Sequence, residues 1–190
     1  LQGRRSSSIR LRKPAFKAPR DWDRRFLQLA ELTAAWSRDP STKVGAVAVR
    51  DRRILATGYN GLPSGVVDSE FRLTDRDTKM LMTAHAEANC ISYAARTGVS
   101  LLGSTLYIFP MPPCSHCAAS IIQAGISRVV VYDYVIPMRW QQSFDAASDM
   151  FSEAGVALLK LPEKEDNAKA DSLPDEVPSN LASKIPPSLR

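Results

Sequence analysis

Two short segments of the chain carry residue types that can hold a metal ion and move a proton. One is the His-x-Glu formed by His85 and Glu87, and the other is a Pro-Cys-x-x-Cys that begins at Pro113. Zinc favours imidazole and thiolate ligands in a tetrahedron, and a catalytic zinc keeps one position open for water. His85, Cys114 and Cys117 are therefore the predicted zinc ligands. Glu87 is the predicted acid–base residue beside them.

The remaining thiol and imidazole donors are Cys90 and His116, because the chain has three cysteines and two histidines. His116 lies between the two cysteines at a predicted helix start, so we expect it to point away from the face they share. Cys90 follows His85 by about 500° of helix rotation and is expected to be a small buried apolar residue. The sequence thus favours an open, water-bearing zinc over a closed structural site.

Hydrophobic spacing predicts the elements that must position these residues. Residues 21–38 are predicted to form a helix with Asp21 as its N-cap, and the apolar runs 44–49 and 54–59 predict a β-hairpin. Residues 64–77 are polar and are expected to be irregular. The further predicted elements are a helix over 78–96, a strand over 105–109, a helix over 115–124, a strand over 128–132, a helix over 141–153 and a strand over 156–161.

Strands that alternate with helices indicate an α/β fold. Helices are expected to cover both faces of one sheet, in which the first hairpin adds an antiparallel pair to parallel strands. The sequence therefore predicts a three-layer α/β/α sandwich with a five-stranded mixed sheet. Both cysteines would then lie in the first turn of one helix, where the helix dipole favours thiolates, and His85 near the start of another.

Length and composition predict one domain between two polar tails. The chain has 190 residues, of which 44% are hydrophobic, and a formal charge of +5. We predict a basic N-terminal segment over residues 1–20, a domain over 21–161 and a proline-rich, charged tail over 162–190.

No apolar run is long enough for a membrane span, and three cysteines, two of them in a Cys-x-x-Cys, suit a reducing compartment. A cytoplasmic location is expected. The basic tail is interpreted as a solvated segment, and nucleic-acid binding is disfavoured.

The two metal-binding segments, in this order, match the signature of zinc-dependent nucleobase deaminases. Residues 22–161 resemble the deoxycytidylate (dCMP) deaminase family, within the cytidine deaminase-like superfamily. The segments that carry the resemblance are Ser-Arg-Asp-Pro-Ser-Thr-Lys-Val-Gly-Ala at 37–46, Thr-Gly-Tyr-Asn-Gly-Leu-Pro-Ser-Gly at 57–65, His-Ala-Glu-Ala-Asn at 85–89 and Pro-Pro-Cys-Ser-His-Cys at 112–117.

The resemblance implies hydrolysis of dCMP to dUMP and ammonia, which supplies thymidylate synthesis. Zinc lowers the pKa of a bound water, and Glu87 is expected to accept its proton and deliver it to ring N3 of cytosine. By the same resemblance, Asn60 is expected to bind the sugar or phosphate side of the nucleotide. Since it precedes a glycine, it also fits a turn residue. Lys43 is the candidate for the phosphate charge, and it fits equally well as a solvated strand-edge lysine. Ala86 is also assigned to substrate binding.

The resemblance further implies a homo-oligomer, hexameric in many members of the family, with dCTP and dTTP as effectors. Residues 66–82 lack the cysteines and histidines that bind a second zinc in some relatives, so one Zn²⁺ per chain is expected. The zinc motif alone also permits deamination of dCTP, cytidine, guanine or tRNA adenosine. A catalytically idle zinc module that binds nucleotides is the alternative from a different class.

Overall fold

The structure is a computed structural model that describes residues 20–162. The two predicted tails lie outside this range except for their boundary residues. The helices are α1 (Arg20–Ala34), α2 (Glu70–Thr74), α3 (Arg76–Met82), α4 (Ala86–Arg96), α5 (Ser115–Gln123) and α6 (Met138–Ala154). The strands are β1 (Gly45–Arg50), β2 (Arg53–Tyr59), β3 (Thr105–Phe109), β4 (Arg128–Tyr132) and β5 (Ala157–Leu161).

The five strands form one mixed sheet in the order β2-β1-β3-β4-β5. Strand β1 runs antiparallel to both of its neighbours, β2 and β3. Strands β3, β4 and β5 are parallel to one another. The hairpin between β1 and β2 turns at Asp51 and Arg52, whose φ angles of 53° and 62° suit the tight two-residue loops of β-hairpins. The predicted five-stranded mixed sheet is confirmed.

Helices cover both faces of the sheet, because successive strand residues point to opposite sides. In β1, Ala46 and Ala48 join the core beneath α4, α5 and α6. Val47 and Val49 instead join the core beneath α1. The predicted three-layer α/β/α sandwich is therefore confirmed.

The predicted single helix over residues 78–96 is wrong. Helix α3 ends at Met82 and α4 begins at Ala86, with Thr83 and His85 in extended conformation between them. Ala84 leaves helical geometry because its backbone pairs with Gly61 in an isolated antiparallel bridge. This break places His85 directly before the first turn of α4.

The expectation of an irregular segment over residues 64–77 is also wrong. Two short helices occupy part of it, and a side-chain cap starts each. Ser69 Oγ accepts a hydrogen bond from the Arg72 N–H at the start of α2, and Asp75 Oδ2 accepts one from the Thr78 N–H at the start of α3. Ser and Asp are favoured N-caps, so the sequence held a local signal for both helices.

The other differences from the sequence prediction are at element ends. Helix α1 ends at Ala34, before residue 38, and the predicted N-cap Asp21 lies within it. Helix α6 begins at Met138, directly after Pro137. Over residues 20–162, no helix has the length and apolar character needed to cross a membrane.

Candidate active site

The first residues of two helices meet at the predicted zinc site. His85 is the N-cap of α4, and Cys114 is the N-cap of α5. His85 Nδ1 lies 3.5 Å from Cys114 Sγ and 3.4 Å from Cys117 Sγ, and the three ligand atoms lie within 4.8 Å of one another. Tetrahedral zinc bonds of about 2.0–2.3 Å place neighbouring ligands roughly 3.3–3.8 Å apart. The three side chains therefore fit one zinc ion.

The other two soft donors stay out of this cluster. Cys90 is fully buried on the core side of α4, and His116 is exposed on α5. Among residues 20–162, the group able to hold a metal consists of His85, Cys114 and Cys117. Three protein ligands leave the fourth tetrahedral position for water or substrate, as a catalytic zinc site requires.

Hydrogen bonding prepares one of the two cysteines, Cys114, as a metal ligand. Contact with Cys114, together with burial, raises the pKa of Cys117. The Cys117 thiol and the His85 ring hydrogen-bond to Cys114 and lower the pKa of Cys114, against the opposing effect of burial. The same contact with Cys114 raises the pKa of His85. A sulfur that is already thiolate binds zinc without first losing a proton. The helix N-terminus adds a favourable dipole at Cys114.

Glu87 is a buried carboxyl group beside the ligands. It lies in the first turn of α4 and is 4% exposed, and its side chain interacts with that of Cys117. Burial raises the pKa of Glu87, because it disfavours the charged carboxylate. A carboxylate with a raised pKa accepts a proton more readily than an ordinary carboxylate, as a general base requires. His85 itself is exposed, so the site opens to solvent on the imidazole side.

Helix α6 fixes the start of α5. The Ser115 N–H donates to Ser143 Oγ at 3.1 Å, and the two serine hydroxyls lie 3.1 Å apart. This side chain satisfies one of the free amides in the first turn of a helix. Ser143 thereby holds the backbone next to Cys114. Sequence reasoning missed this residue, because nothing local to it indicates a partner on another helix.

Strand β2 packs directly against α4. Asn89 Nδ2 donates to the Tyr59 carbonyl oxygen at 2.7 Å. A β-carbon on Gly58 would overlap the carbonyl oxygen of Ala86 and the backbone nitrogen of Cys90. Glycine is required at this position because helix and strand backbones touch. A glycine inside a strand is the sequence signal that marks such a close approach.

Asn60, predicted to bind substrate, is buried and braces the loop before β1. Its Oδ1 accepts a hydrogen bond from the Val44 N–H at 2.8 Å, and its Nδ2 donates to the Thr42 carbonyl at 2.9 Å. The next residue, Gly61, exchanges two backbone hydrogen bonds with Ala84 at 3.1 and 2.9 Å. Since Ala84 precedes His85, the structure brings the Asn60 loop beside the predicted zinc ligand His85.

The other two predicted substrate-binding residues differ in exposure. Ala86 is fully buried at the first position of α4. Lys43 is exposed, and within residues 20–162 its ammonium forms no ion pair with an acidic side chain. Substrate contacts of Asn60, Lys43 and Ala86 stay predictions.

The fold and the site together define the class of protein. A family model described as "Cytidine and deoxycytidylate deaminase zinc-binding region" matches residues 20–133, a range that holds His85, Glu87 and both cysteines of the cluster. The chain belongs to this family of zinc-dependent deaminases, and Zn²⁺ is its cofactor.

Individual relatives make the assignment more specific. A protein of Aliivibrio fischeri described as "Uncharacterized deaminase in luxG 3'region" is 44% identical over 143 residues, which cover 74% of this chain and 94% of that protein. The deoxycytidylate deaminase of Homo sapiens is 35% identical over 148 residues, which cover 74% of this chain and 79% of that protein. The crystal structure of a dCMP deaminase from cyanophage S-TIM5, in complex with dCMP and dUMP, matches with a TM-score of 0.61 at 29% identity. The match covers 76% of this chain and 99% of the cyanophage chain.

Proposed function

We propose that this protein hydrolyses dCMP to dUMP and ammonia. The observation that carries the proposal is the combination of a His85, Cys114 and Cys117 cluster with the buried carboxyl of Glu87. The relatives named deoxycytidylate deaminase and the cyanophage enzyme bound to dCMP and dUMP support this choice of substrate. By the family resemblance, the dUMP product supplies thymidylate synthesis.

The chain's own residues have separate roles in this reaction. When bound to the three ligands, zinc lowers the pKa of water toward about 7 and so supplies a nucleophile at neutral pH. Glu87 takes a proton from the water and transfers it to ring N3 of cytosine as the water oxygen bonds to C4. Glu87 then passes the remaining hydroxyl proton to the exocyclic amino group, the bond between C4 and that nitrogen breaks, and ammonia leaves as the C4 carbonyl forms. Water thus supplies the new oxygen and both protons, one on N3 and one in ammonia. Burial of Glu87 keeps its proton away from bulk solvent.

We assign substrate binding to Asn60, Lys43 and Ala86. Asn60 is supported by its place directly before Gly61, which pairs with Ala84, and by a side-chain oxygen that can accept a second hydrogen bond. Lys43 is supported by its exposed ammonium, which suits a phosphate. Ala86 is supported by its position between His85 and Glu87.

We further propose a homo-oligomer, with dCTP and dTTP as effectors, in the cytoplasm. The resemblance to dCMP deaminases supports the assembly and the effectors, and the free cysteines of the described chain suit a reducing compartment. Light scattering after size exclusion tests the assembly. Turnover measured with added dCTP or dTTP tests the effectors.

A panel of substrates tests the proposed reaction. The zinc-loaded protein is incubated with dCMP, dCTP, cytidine, guanine and tRNA, and ammonia release is followed with the ultraviolet change from cytosine to uracil. Selective turnover of dCMP is expected. Selective turnover of another substrate would replace dCMP, and binding without ammonia release would favour an idle nucleotide-binding module.

A further inference from the structure

The carboxylate of Asp39 gathers hydrogen bonds from several segments of the chain. Its Oδ1 accepts from the Ser41 N–H at 2.7 Å and from the Thr42 N–H at 3.1 Å. Its Oδ2 lies 3.5 Å from Asn60 Nδ2. The side chain of Asp39 is 8% exposed. A carboxylate this buried requires donors and a countercharge to remain stable.

Lys79 on α3 supplies that countercharge. Its Nζ lies 3.1 Å from Asp39 Oδ1 and 3.0 Å from Ser41 Oγ. The Lys79 side chain is 14% exposed, so water screens this pair much less than it screens a surface ion pair. Lys79 therefore ties the short helix α3 to the loop that precedes β1.

The loop reaches the zinc site through Asn60. Asn60 is bonded to Asp39 and Thr42 on one side, and the Gly61 backbone that follows it pairs with Ala84 on the other. Ala84 also lies on the short connection between α3 and His85. The ion pair and the backbone bridge thus connect three segments of the chain, residues 39–44, 60–61 and 79–85.

We infer that Lys79 is a positioning residue for substrate binding, acting through Asp39 on Asn60 and the loop at residues 39–44. This inference rests on the proposed function. On this basis Lys79 holds the loop at residues 39–44 in place through its ion pair with Asp39. The ammonium of Lys79 bonds to Asp39 and Ser41 and not to a zinc ligand, so it affects where the nucleotide sits rather than how zinc binds.

The first test is the kinetics of Lys79→Met in the zinc-loaded protein. We expect KM for dCMP to rise about tenfold or more, while kcat and the content of one zinc per chain stay near the values of the unchanged protein. Arg76→Met is the matched control, because it removes a positive charge from the same helix at an exposed position. Its KM is expected to be unchanged. An unchanged KM in Lys79→Met would overturn the inference, as would an equal rise in both variants.

A double-mutant cycle separates positioning from a general loss of stability. Asp39→Asn combined with Lys79→Met is expected to raise KM no more than the worse single change, because both break the same link. Fully additive effects on KM would count against the link. If Lys79→Met does not fold, Ser41→Ala removes the Oγ contact alone and is expected to raise KM by a smaller factor. An unchanged KM there would likewise reject the inference.

Hydrogen exchange provides a readout that needs no substrate. The amides of Ser41 and Thr42 donate to Asp39, so they are expected to exchange faster in Lys79→Met and at the original rate in Arg76→Met. Unaltered exchange in Lys79→Met would reject the network. Failure of the unchanged protein to release ammonia from dCMP would instead reject the proposed function, and the exchange result would still stand on its own.

Discussion

Gly58 on β2 lies directly against the backbone of Ala86 in the first turn of α4, with no room for a β-carbon between them. Gly58→Ala is expected to push α4 outward, at a cost of about 1–3 kcal/mol of folding free energy. Because α4 begins next to His85 and carries Glu87, zinc affinity should fall as well. Thermal unfolding and zinc titration of the variant measure both effects.

Gly45 offers a matched control on the opposite face of the sheet. A β-carbon there would overlap the backbones of Ala30 and Ala34 in α1, which holds no site residue. Gly45→Ala is expected to lose comparable stability and to keep one zinc per chain. Equal loss of zinc affinity in the two glycine variants would contradict the view that β2 positions the metal site through α4.

Metal content tests the ligand set. The zinc-loaded protein is expected to contain one zinc per chain, and Cys117→Ser is expected to lose it, since a hydroxyl is a poor zinc ligand. Cys90→Ala is the control, because that thiol is buried outside the cluster. Elemental analysis after dialysis measures zinc in both variants. Retention of zinc by Cys117→Ser, or its loss from Cys90→Ala, would overturn the assignment.

The buried thiol of Cys90 predicts how stability changes with alkaline pH. Burial raises its pKa from an ordinary value of 9.0 to about 12. Between these values the unfolded chain loses the thiol proton and the folded chain keeps it, so the free energy of unfolding falls as pH rises. Melting temperatures from about pH 8 to about pH 11 should therefore drop more steeply for the unchanged protein than for Cys90→Ala. Parallel curves would contradict this prediction.

The cluster of His85, Cys114 and Cys117 was predictable because its chemistry is local in sequence. Cysteines three positions apart share one face of a helix start, and His-x-Glu places a ligand and an acid in one turn. The strands over residues 105–109 and 128–132 were predictable for the same reason, since a short apolar run bounded by turn residues is a complete local signal.

The parts that could not be predicted depend on contacts between distant segments. The break between α3 and α4 follows from pairing of Ala84 with Gly61, which no local pattern indicates. The burial of Asp39 against Lys79 joins residues 40 positions apart. In the sequence Asn60 fits a turn residue or a substrate ligand, and the structure reveals its additional role in bracing the loop before β1.

Glu87→Gln is the sharpest test of whether Glu87 moves the proton in zinc-dependent hydrolysis of dCMP. Glutamine keeps the shape of the buried side chain but cannot carry the proton. With dCMP as substrate, the variant is expected to retain one zinc per chain while ammonia release falls by about 10²–10⁴-fold relative to the unchanged protein. Turnover near that of the unchanged protein, at equal zinc content, would rule out this role for Glu87.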